Sequence, residues 1–244
     1  MLAKCDLAHK TALITGASSG IGRAMAVRLA ESGMNLALSG RNSERLEETA
    51  RLTGRPQDML LLPGELSGLA AVEALLQETL ARFGGLDVLI NNAGMALNCP
   101  FEAISESDYD RIMLLNAKIP FLLCQKALPL LRRSDSPTII NIGSVVAHSG
   151  YAFQAAYTAS KHALIGFTKA LAKEVCHEGI RVHMISPGGV YTDMIRIARP
   201  DLTPEGMIMP EEIAELAAYL LEHRTNGIID EIQLHRTGKE PFLS

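Results

Sequence analysis

The 244-residue sequence predicts a doubly wound α/β fold, in which a parallel sheet of seven strands carries helices on both faces. Two observations predict this fold. Apolar runs and helical patterns alternate along the whole chain, which is the order of successive βαβ units. Most of the runs, such as 87–90 (Asp-Val-Leu-Ile), are largely apolar, as expected for parallel strands covered on both sides. The βαβ units are expected to be right-handed, because nearly all such crossovers are.

Each predicted element has its own signal. Apolar runs predict strands at 11–15, 35–39, 58–62, 86–91, 137–143, 180–185 and 228–234. Helical periodicity predicts helices at 20–32, 43–53, 68–83, 108–133, 155–177 and 211–223. Capping signals support two helix starts, with Ser105 three residues ahead of Asp108 and Pro210 directly ahead of Glu211. Since no repeat or linker interrupts this order, residues 1–244 are predicted to form a single domain.

The least regular stretch is 188–210, which is rich in glycine and proline and follows the predicted sixth strand. In an open α/β sheet, ligands bind beyond the carboxyl ends of the strands. We therefore expect 188–210 to be a loop that covers the substrate. A passive connection is the alternative, but loops of this length usually carry a function.

A glycine-rich turn, 15–22 (Thr-Gly-Ala-Ser-Ser-Gly-Ile-Gly), joins the first strand to the first helix. Gly16 permits a tight turn, Gly20 lets backbone N–H groups approach a pyrophosphate, and Gly22 lets the helix pack close to the sheet. The helix N-terminus then faces the phosphates with its partial positive charge. This strand–turn–helix context predicts a dinucleotide site, with a plain glycine-rich loop as the alternative.

Tyr157 and Lys161 are four residues apart in a predicted helix, so both side chains are expected on one face. A free phenol is a poor acid–base catalyst at neutral pH, and a neighbouring ammonium is expected to lower its pKa. With Ser144 to hold the substrate oxygen, this set predicts carbonyl reduction or the reverse oxidation, with Tyr157 exchanging the proton. The hydride must come from a cofactor, because no side chain supplies one. A packing aromatic and a strand-end cap are the structural alternatives for Tyr157 and Ser144.

Further motifs follow in order along the chain: 91–94 (Asn-Asn-Ala-Gly), Asn116 within Leu-Asn-Ala-Lys, and 187–192 (Pro-Gly-Gly-Val-Tyr-Thr). Together with the glycine turn and the Tyr157/Lys161 pair, they resemble the short-chain dehydrogenase/reductase family over nearly the whole chain. The resemblance implies a Rossmann-type sheet and an NAD(P)-dependent oxidoreductase. It also implies a small-molecule substrate with a carbonyl or secondary alcohol group.

The same resemblance implies roles for individual residues. Lys161 would also bind the nicotinamide ribose, and Asn116 would hold a water that links Lys161 to solvent, with a helix-kink residue as the alternative for Asn116. The expected catalytic residues are Asn116, Ser144, Tyr157 and Lys161. The expected cofactor-binding residues are Gly16, Ser18, Ser19, Gly20, Ile21, Gly22, Arg41, Glu65, Leu66, Asn92, Ala93, Gly94, Tyr157, Lys161, Pro187, Gly188, Val190 and Thr192. The expected substrate-binding residues are Ser144, His148, Tyr151, Tyr157 and Tyr191, and a surface loop position is the alternative for His148.

The end of the second predicted strand, 38–42 (Leu-Ser-Gly-Arg-Asn), bears on the choice of cofactor. An NAD site usually places an acidic residue there for the ribose hydroxyls, whereas here no acid occurs before Glu44. Arg41 is suited to a 2′-phosphate, which favours NADP, while Ser19 offers no second positive charge and leaves NAD possible. Glu65 stands where the family usually has an Asp near the adenine. A solvent-exposed helix-start residue is the alternative for Arg41.

Composition excludes several other classes. The net charge is −4 and no long basic run is present, which argues against nucleic-acid binding. The four cysteines show no metal-binding spacing, so no metal is expected and reduced thiols are favoured. No apolar run approaches the ~20 residues of a membrane span, and the N-terminus lacks the apolar core of a signal peptide. A cytoplasmic location is therefore expected.

The C-terminal segment departs from the family pattern. Many acyl-thioester reductases of the family end the last strand with Asp-Gly-Gly, whereas 227–236 reads Gly-Ile-Ile-Asp-Glu-Ile-Gln-Leu-His-Arg here. The predicted strand 228–234 is expected at the sheet edge, where Asp230 and Glu231 would discourage unwanted pairing. The chain looks more similar to members acting on small hydroxy acids or of unknown substrate. A non-catalytic nucleotide-binding regulator and an epimerase remain alternatives on the same fold.

The predicted helices 108–133 and 155–177 are long and carry more apolar residues than one face needs. By resemblance to the family, they would pair between subunits and give a homodimer or homotetramer. The alternative is that both apolar faces cover the sheet of one subunit.

Overall fold

The computed structural model describes residues 4–198 and 203–239, which contain one sheet of seven parallel strands. The strand order is β3-β2-β1-β4-β5-β6-β7, with parallel pairing throughout. The strands are β1 (Thr11–Thr15), β2 (Asn35–Gly40), β3 (Met59–Pro63), β4 (Val88–Asn91), β5 (Thr138–Ile142), β6 (Arg181–Pro187) and β7 (Glu231–Leu234). The predicted fold class is confirmed, and the last strand lies at the sheet edge as expected.

Eight α-helices are described: α1 (Gly20–Glu31), α2 (Ser43–Leu52), α3 (Leu69–Phe83), α4 (Glu106–Met113), α5 (Ile119–Leu131), α6 (Ala155–Val175), α7 (Asp193–Ala198) and α8 (Pro210–Glu222). Helices α1, α2 and α8 contribute apolar side chains to one buried cluster, which covers one face of the sheet. Helices α3, α5 and α6 contribute to a second cluster on the other face. Burial on both faces explains why the strand sequences are apolar nearly throughout.

Three predicted elements differ from the structure by more than a small shift of their ends. The helix predicted at 108–133 begins at Glu106, because Ser105 caps it by accepting a bond from the Asp108 N–H. A π-helical turn, Leu114–Lys118, separates α4 from α5. The strand predicted at 228–234 is shorter and begins at Glu231. The predicted loop 188–210 contains the short helix α7, and its residues 199–202 lie outside the described residues.

One described helical stretch, Glu106–Leu131, is long and apolar enough to span a membrane by length and composition alone. The sequence-based expectation that no such stretch exists is therefore corrected. This is weak evidence for a span, because core helices of soluble proteins pass the same criterion. Ile119 and Leu123 of this stretch pack in the second core cluster, and its π turn holds the buried polar side chain of Asn116.

Candidate active site

A cavity of about 610 Å³ runs along the carboxyl edge of the sheet. The loops that follow β1, β2, β3, β4, β5 and β6 all contribute to its wall, because parallel strands end at the same edge. The glycine turn after β1 lines this cavity, and so do Tyr157 and Lys161 of α6. Two motifs that are about 140 residues apart in the sequence therefore share one site.

The glycine turn has the conformation that its sequence requires. Gly16 and Gly20 have φ values of +68° and +53°, which L-residues with a side chain rarely adopt. A Cβ on Gly22 would lie 2.3 Å from the Gly16 carbonyl oxygen, so only glycine fits there. Ser19, the N-cap of α1, makes no side-chain capping bond within the described structure, which leaves the first N–H groups of the helix open to an anion.

Asn92 fastens this turn to the end of β4. Its side-chain amide donates to the carbonyl oxygens of Thr15 at 2.9 Å and Gly16 at 3.2 Å. In return, the Thr15 hydroxyl oxygen accepts bonds from the backbone N–H groups of Asn92 and Ala93, each at 3.0 Å. These bonds hold the turn rigidly against the strand, and the glycine cradle and open helix N-terminus together fit a dinucleotide phosphate.

The end of β2 places a positive charge at the cavity. Arg41 is exposed and lines the cavity, and no carboxylate of residues 4–198 or 203–239 forms an ion pair with it. The next residue, Asn42, caps α2 by accepting a bond from the Arg45 N–H at 2.8 Å. Glu65 and Leu66, which follow β3, line the same cavity.

Tyr157 and Lys161 lie one turn apart on α6, with the Lys161 Nζ 5.9 Å from the centroid of the Tyr157 ring. The Lys161 side chain is buried, and its Nζ donates a hydrogen bond to the Ile142 carbonyl oxygen at 2.9 Å. This bond ties the amine to the end of β5, directly ahead of the segment that carries Ser144. Tyr157, Lys161 and Ser144 all line the cavity.

Ser144 precedes a single 3₁₀ turn, Val145–Ala147, and acts as its N-cap. Its Oγ accepts a bond from the Val146 N–H at 3.2 Å, which leaves the hydroxyl proton for a bond to the Tyr157 phenol or to a substrate oxygen. The sequence-based alternative of a strand-end cap is thus observed, and it is compatible with a contact to a substrate oxygen.

Asn116 lies in the π turn and is almost fully buried. Its Nδ2 donates to the Met95 carbonyl oxygen at 2.8 Å and the Ser160 hydroxyl at 3.0 Å, and its Oδ1 accepts the Met95 N–H at 2.9 Å. The side chain therefore joins α4–α5 to α6 and to the loop after β4. Its location in a π turn matches the alternative role as a helix-irregularity residue, and the water-holding role stays a prediction.

The ionisable pair differs from the sequence-based expectation. Burial raises the pKa of the Tyr157 phenol, while its hydrogen bond with Ser144 acts in the opposite direction. Burial lowers the pKa of Lys161 from 10.5 to about 8. The expected lowering of the Tyr157 pKa is therefore wrong for this structure, because the effect of burial on the phenol outweighs that of its hydrogen bond.

The structure places most predicted site residues around the cavity. All predicted cofactor-binding residues line it except Gly22, which packs behind the glycine turn. Asn116, His148, Tyr151 and Tyr191 are also absent from its lining. The substrate roles predicted for the last three stay predictions.

Sequence reasoning missed several lining residues. They are Ser39, Gly40, Gly64, Met95, Ala96, Arg111, Leu114, Leu115, Ile142, Gly143, Gly189 and Ile195. Most of them lie next to motif residues at strand ends, so their position in the sequence was the one signal that could have identified them. Leu114 and Leu115 reach the cavity from the π turn, which has no recognised sequence signal. Among the described residues, no cluster of three or more His, Cys, Asp or Glu side chains could hold a metal ion.

Residues 10–203 match the family described as short chain dehydrogenase. The 3-oxoacyl-(acyl-carrier-protein) reductase FabG of Staphylococcus aureus is 37% identical over 187 residues, which cover 76% of this chain and 76% of that protein. Levodione reductase of Leifsonia aquatica is 36% identical over 210 residues, covering 84% of this chain and 78% of that protein. A crystal structure of levodione reductase matches with a TM-score of 0.85 at 31% identity, covering 93% of this chain and 96% of that chain.

The fold, the cavity and these similarities define an oxidoreductase of the Rossmann type. The chain belongs to the short-chain dehydrogenase/reductase family, and it is an NAD(P)-dependent enzyme.

Proposed function

We propose that this protein reduces a small-molecule carbonyl, or oxidises the corresponding secondary alcohol, with Tyr157 as the acid–base group. The observation that carries the proposal is the single cavity lined by the glycine turn at one part of its wall and by Ser144, Tyr157 and Lys161 at another. The names of the relatives support a carbonyl substrate, since they include a 3-oxoacyl reductase and levodione reductase.

The roles follow from the chemistry of each group. A bound nicotinamide cofactor supplies or accepts the hydride. Tyr157 donates the proton to the carbonyl oxygen in reduction and accepts it in oxidation. Ser144 donates a hydrogen bond to the same oxygen and fixes its distance from Tyr157. Lys161 binds the nicotinamide ribose and, when protonated, stabilises the Tyr157 phenolate, and Asn116 holds a water on the route from Lys161 to solvent.

NADP is the proposed cofactor in preference to NAD. Arg41 lines the cavity at the end of β2 and forms no ion pair within the described residues. A guanidinium there suits a 2′-phosphate, whereas the carboxylate usual in NAD sites is missing. Segment 188–210 is proposed to cover the substrate, within a single domain.

A cytoplasmic homo-oligomer completes the proposal. A nucleotide-binding regulator and an epimerase remain the competing functions on the same fold. The presence of Asn116, Ser144, Tyr157 and Lys161 together favours the oxidoreductase, because a regulator could lose any of them without consequence.

The test compares the native protein with Tyr157→Phe, using a panel of small ketones and alcohols and the absorbance of the reduced nicotinamide. Loss of the hydroxyl should lower turnover by roughly 10²–10⁴-fold, the usual contribution of general acid catalysis. Cofactor binding, followed by nicotinamide fluorescence, should survive. Near-native turnover in Tyr157→Phe would refute the acid–base assignment. Cofactor binding without turnover on any substrate would favour the regulator, and stereochemical inversion without net cofactor oxidation the epimerase.

A further inference from the structure

A pair of side chains connects the Ser144 segment to the edge strand of the sheet. His148 Nε2 lies 2.7 Å from Glu231 Oε1, and the two residues are 83 positions apart in the chain. The same carboxylate oxygen accepts a hydrogen bond from the Ser186 hydroxyl at 2.6 Å. Ser186 is fully buried on β6, and the His148 and Glu231 side chains are 21% and 20% exposed. Glu231 therefore has two short bonds in a largely buried setting.

Ser144 and His148 flank a single 3₁₀ turn, and we call the segment 144–148 the Ser144 turn. The turn is closed by the bond from the Val146 N–H to Ser144 Oγ and by the bond from the His148 N–H to the Val145 carbonyl oxygen at 3.0 Å. A displacement of the His148 end is therefore transmitted to the Ser144 hydroxyl.

The other end of the turn meets the same part of β6. The Gly143 N–H donates to the Ile185 carbonyl oxygen at 2.7 Å. A Cβ on Gly143 would lie 2.8 Å from the Ser186 hydroxyl oxygen, so the backbone at Gly143 lies close against β6. The Gly143 end of this segment is thus bonded to β6 directly, whereas the His148 end is bonded to Glu231 of β7, which in turn accepts a bond from Ser186 of β6.

Glu231 also belongs to the strand that supports the cofactor side of the cavity. It begins β7, a strand of four residues, and Leu234 at the other end of β7 accepts a bond from the Gly188 N–H at 2.9 Å. Gly188 lines the cavity. The short edge strand therefore contacts both the Ser144 turn and the loop after β6.

We infer that His148 and Glu231 form a positioning pair, which fastens the Ser144 turn to β7 and sets the Ser144 hydroxyl for its hydrogen bond to the substrate oxygen. The inference rests on the proposed function for its effect on catalysis. Neither side chain lines the cavity, so the pair acts through Ser144 and contacts no reacting atom.

The first measurement needs neither substrate nor cofactor. Amide hydrogen exchange is followed by NMR in the full-length native protein and in His148→Phe, which keeps a ring but loses the hydrogen bond. If the pair positions the turn, the Val146 N–H should exchange at least ~10-fold faster in the variant, because local opening governs exchange. The N–H groups of Met184 and Gly188, which bond to the segment around β7, serve as the internal reference.

The second measurement uses NADPH and ethyl acetoacetate, with ethyl acetoacetate replaced by any carbonyl of the panel on which the native protein is more active. His148→Phe should lower kcat by about 10–100-fold, as expected for a misplaced catalytic hydroxyl, with the NADPH dissociation constant unchanged within about two-fold. His148→Gln, which can still donate to Glu231, should restore most of the loss. Asp230→Asn removes the neighbouring acid without touching His148 and should match the native protein.

The outcomes distinguish a failure of the positioning role from a failure of the proposed function. Unchanged exchange at Val146, or faster exchange at Met184 and Gly188 alone, would overturn the positioning role. The pair would then only hold β7 to the rest of the sheet. Altered exchange at Val146 with unchanged kcat would also overturn it. A native protein that turns over no carbonyl would count against the proposed function, while the exchange result would still decide whether the pair holds the turn.

Discussion

Lys161 places its amine in the wall of the cavity, where the residue is only 5% exposed and has a single described hydrogen-bond acceptor, the Ile142 carbonyl. Burial without a carboxylate partner disfavours the charged form, which is why the pKa of this lysine falls to about 8. The amine therefore changes charge close to neutral pH. A lysine that changes charge near neutral pH is suited to binding a ligand or transferring a proton. Burying its amine lowers the stability of the folded protein.

The cost can be measured through Lys161→Met. Between about pH 8 and the ordinary lysine pKa of 10.5, the unfolded chain binds a proton that the folded chain does not. In that window the native protein should gain stability over the variant as pH rises, by at most about 1.4 kcal/mol per pH unit. Below that window the difference should be constant. Urea unfolding across this range is the measurement.

Lys118→Met, at an exposed position, is the matched control and should show no such slope. A stability difference between Lys161→Met and the native protein that does not vary across the window would contradict the assignment of a depressed pKa.

Arg41 allows a second prediction at the level of a single residue. If its guanidinium contacts the 2′-phosphate, Arg41→Ala should weaken NADPH binding by roughly 1–3 kcal/mol and leave NADH binding nearly unchanged. Fluorescence titration with each reduced cofactor measures both constants. Arg45→Ala is the control, because Arg45 is exposed, lies one helical turn further on and pairs with Asp193. Equal affinities of the native protein for NADPH and NADH would contradict the proposed preference.

At the level of elements, the sequence predicted most of the fold because burial on both faces leaves an unambiguous apolar signal. Strands β1, β2 and β5 lie within one residue of their predicted bounds. The failures arise where the deciding contact is distant in sequence. The π turn at 114–118 depends on bonds from Asn116 to Met95 and Ser160, which no helical periodicity reveals.

In the candidate site, too, local features were predicted from the sequence and features that depend on distant contacts were not. Most motif residues lie around one cavity, because they follow strand ends or, for Tyr157 and Lys161, lie on α6 beside one. The direction of the Tyr157 pKa shift was predicted wrongly, because spacing on a helix reports which side chains share a face and says little about burial. The bond between His148 and Glu231 joins residues 83 positions apart and has no local signal.

The junction of β6 and β7 contains a titratable group that the proposed chemistry does not use. His183 is buried on β6, and its Nδ1 donates to the Ile229 carbonyl oxygen at 2.6 Å. Its Nε2 is buried and has no described hydrogen-bond partner. Burial lowers the pKa of this imidazole from 6.5, and the positive charges of Arg181 and Arg224 act in the same direction.

An acid-sensitivity of the sheet edge follows from this burial. Below about pH 6.5 the unfolded chain takes up a proton that the folded chain resists, so stability should fall as pH falls, by at most about 1.4 kcal/mol per pH unit from this group. His183→Gln should show a shallower decline in urea unfolding, because it does not titrate. His177→Gln, at an exposed position, is the control. Parallel declines in the native protein and His183→Gln would exclude His183 as the cause.

For the whole molecule, the helices on both faces of the sheet carry ion pairs, and that of Lys126 with Glu73 joins α5 to α3. The face formed by α1, α2 and α8 bears several ion pairs, including those of Arg28 with Glu215 and Glu222. On the other face, Phe121 of α5 is 48% exposed and packs edge-to-face on Phe167 of α6, with ring centroids 5.6 Å apart. Exposed aromatic residues on neighbouring helices are typical of the anchors of subunit interfaces.

The long helices were expected to carry more apolar surface than one subunit buries, and the structure accounts for part of it. Ile112 and Leu123 are fully buried in the subunit, whereas Leu115, Leu122, Leu128 and Leu130 are only partly buried. Leu122, Leu128 and Leu130, together with Phe121, leave an apolar surface along α5, whereas Leu115 lies in the π turn and lines the cavity. Exposed apolar area of this kind favours association, since its burial is worth about 25 cal/mol per Å².

We therefore expect the native protein to be a homodimer or homotetramer at micromolar concentration, paired through α4–α5 and α6. Light scattering should give a multiple of the 26.3 kDa chain mass. Phe121→Glu should shift the protein towards the monomer, because a charge buried opposite an apolar partner surface is strongly unfavourable. Leu52→Glu, an equally exposed apolar position at the end of α2, should leave the mass unchanged. A native mass equal to one chain would exclude the oligomer. An oligomer that persists in Phe121→Glu would show that the subunits pair through a surface other than the one around Phe121 and Phe167.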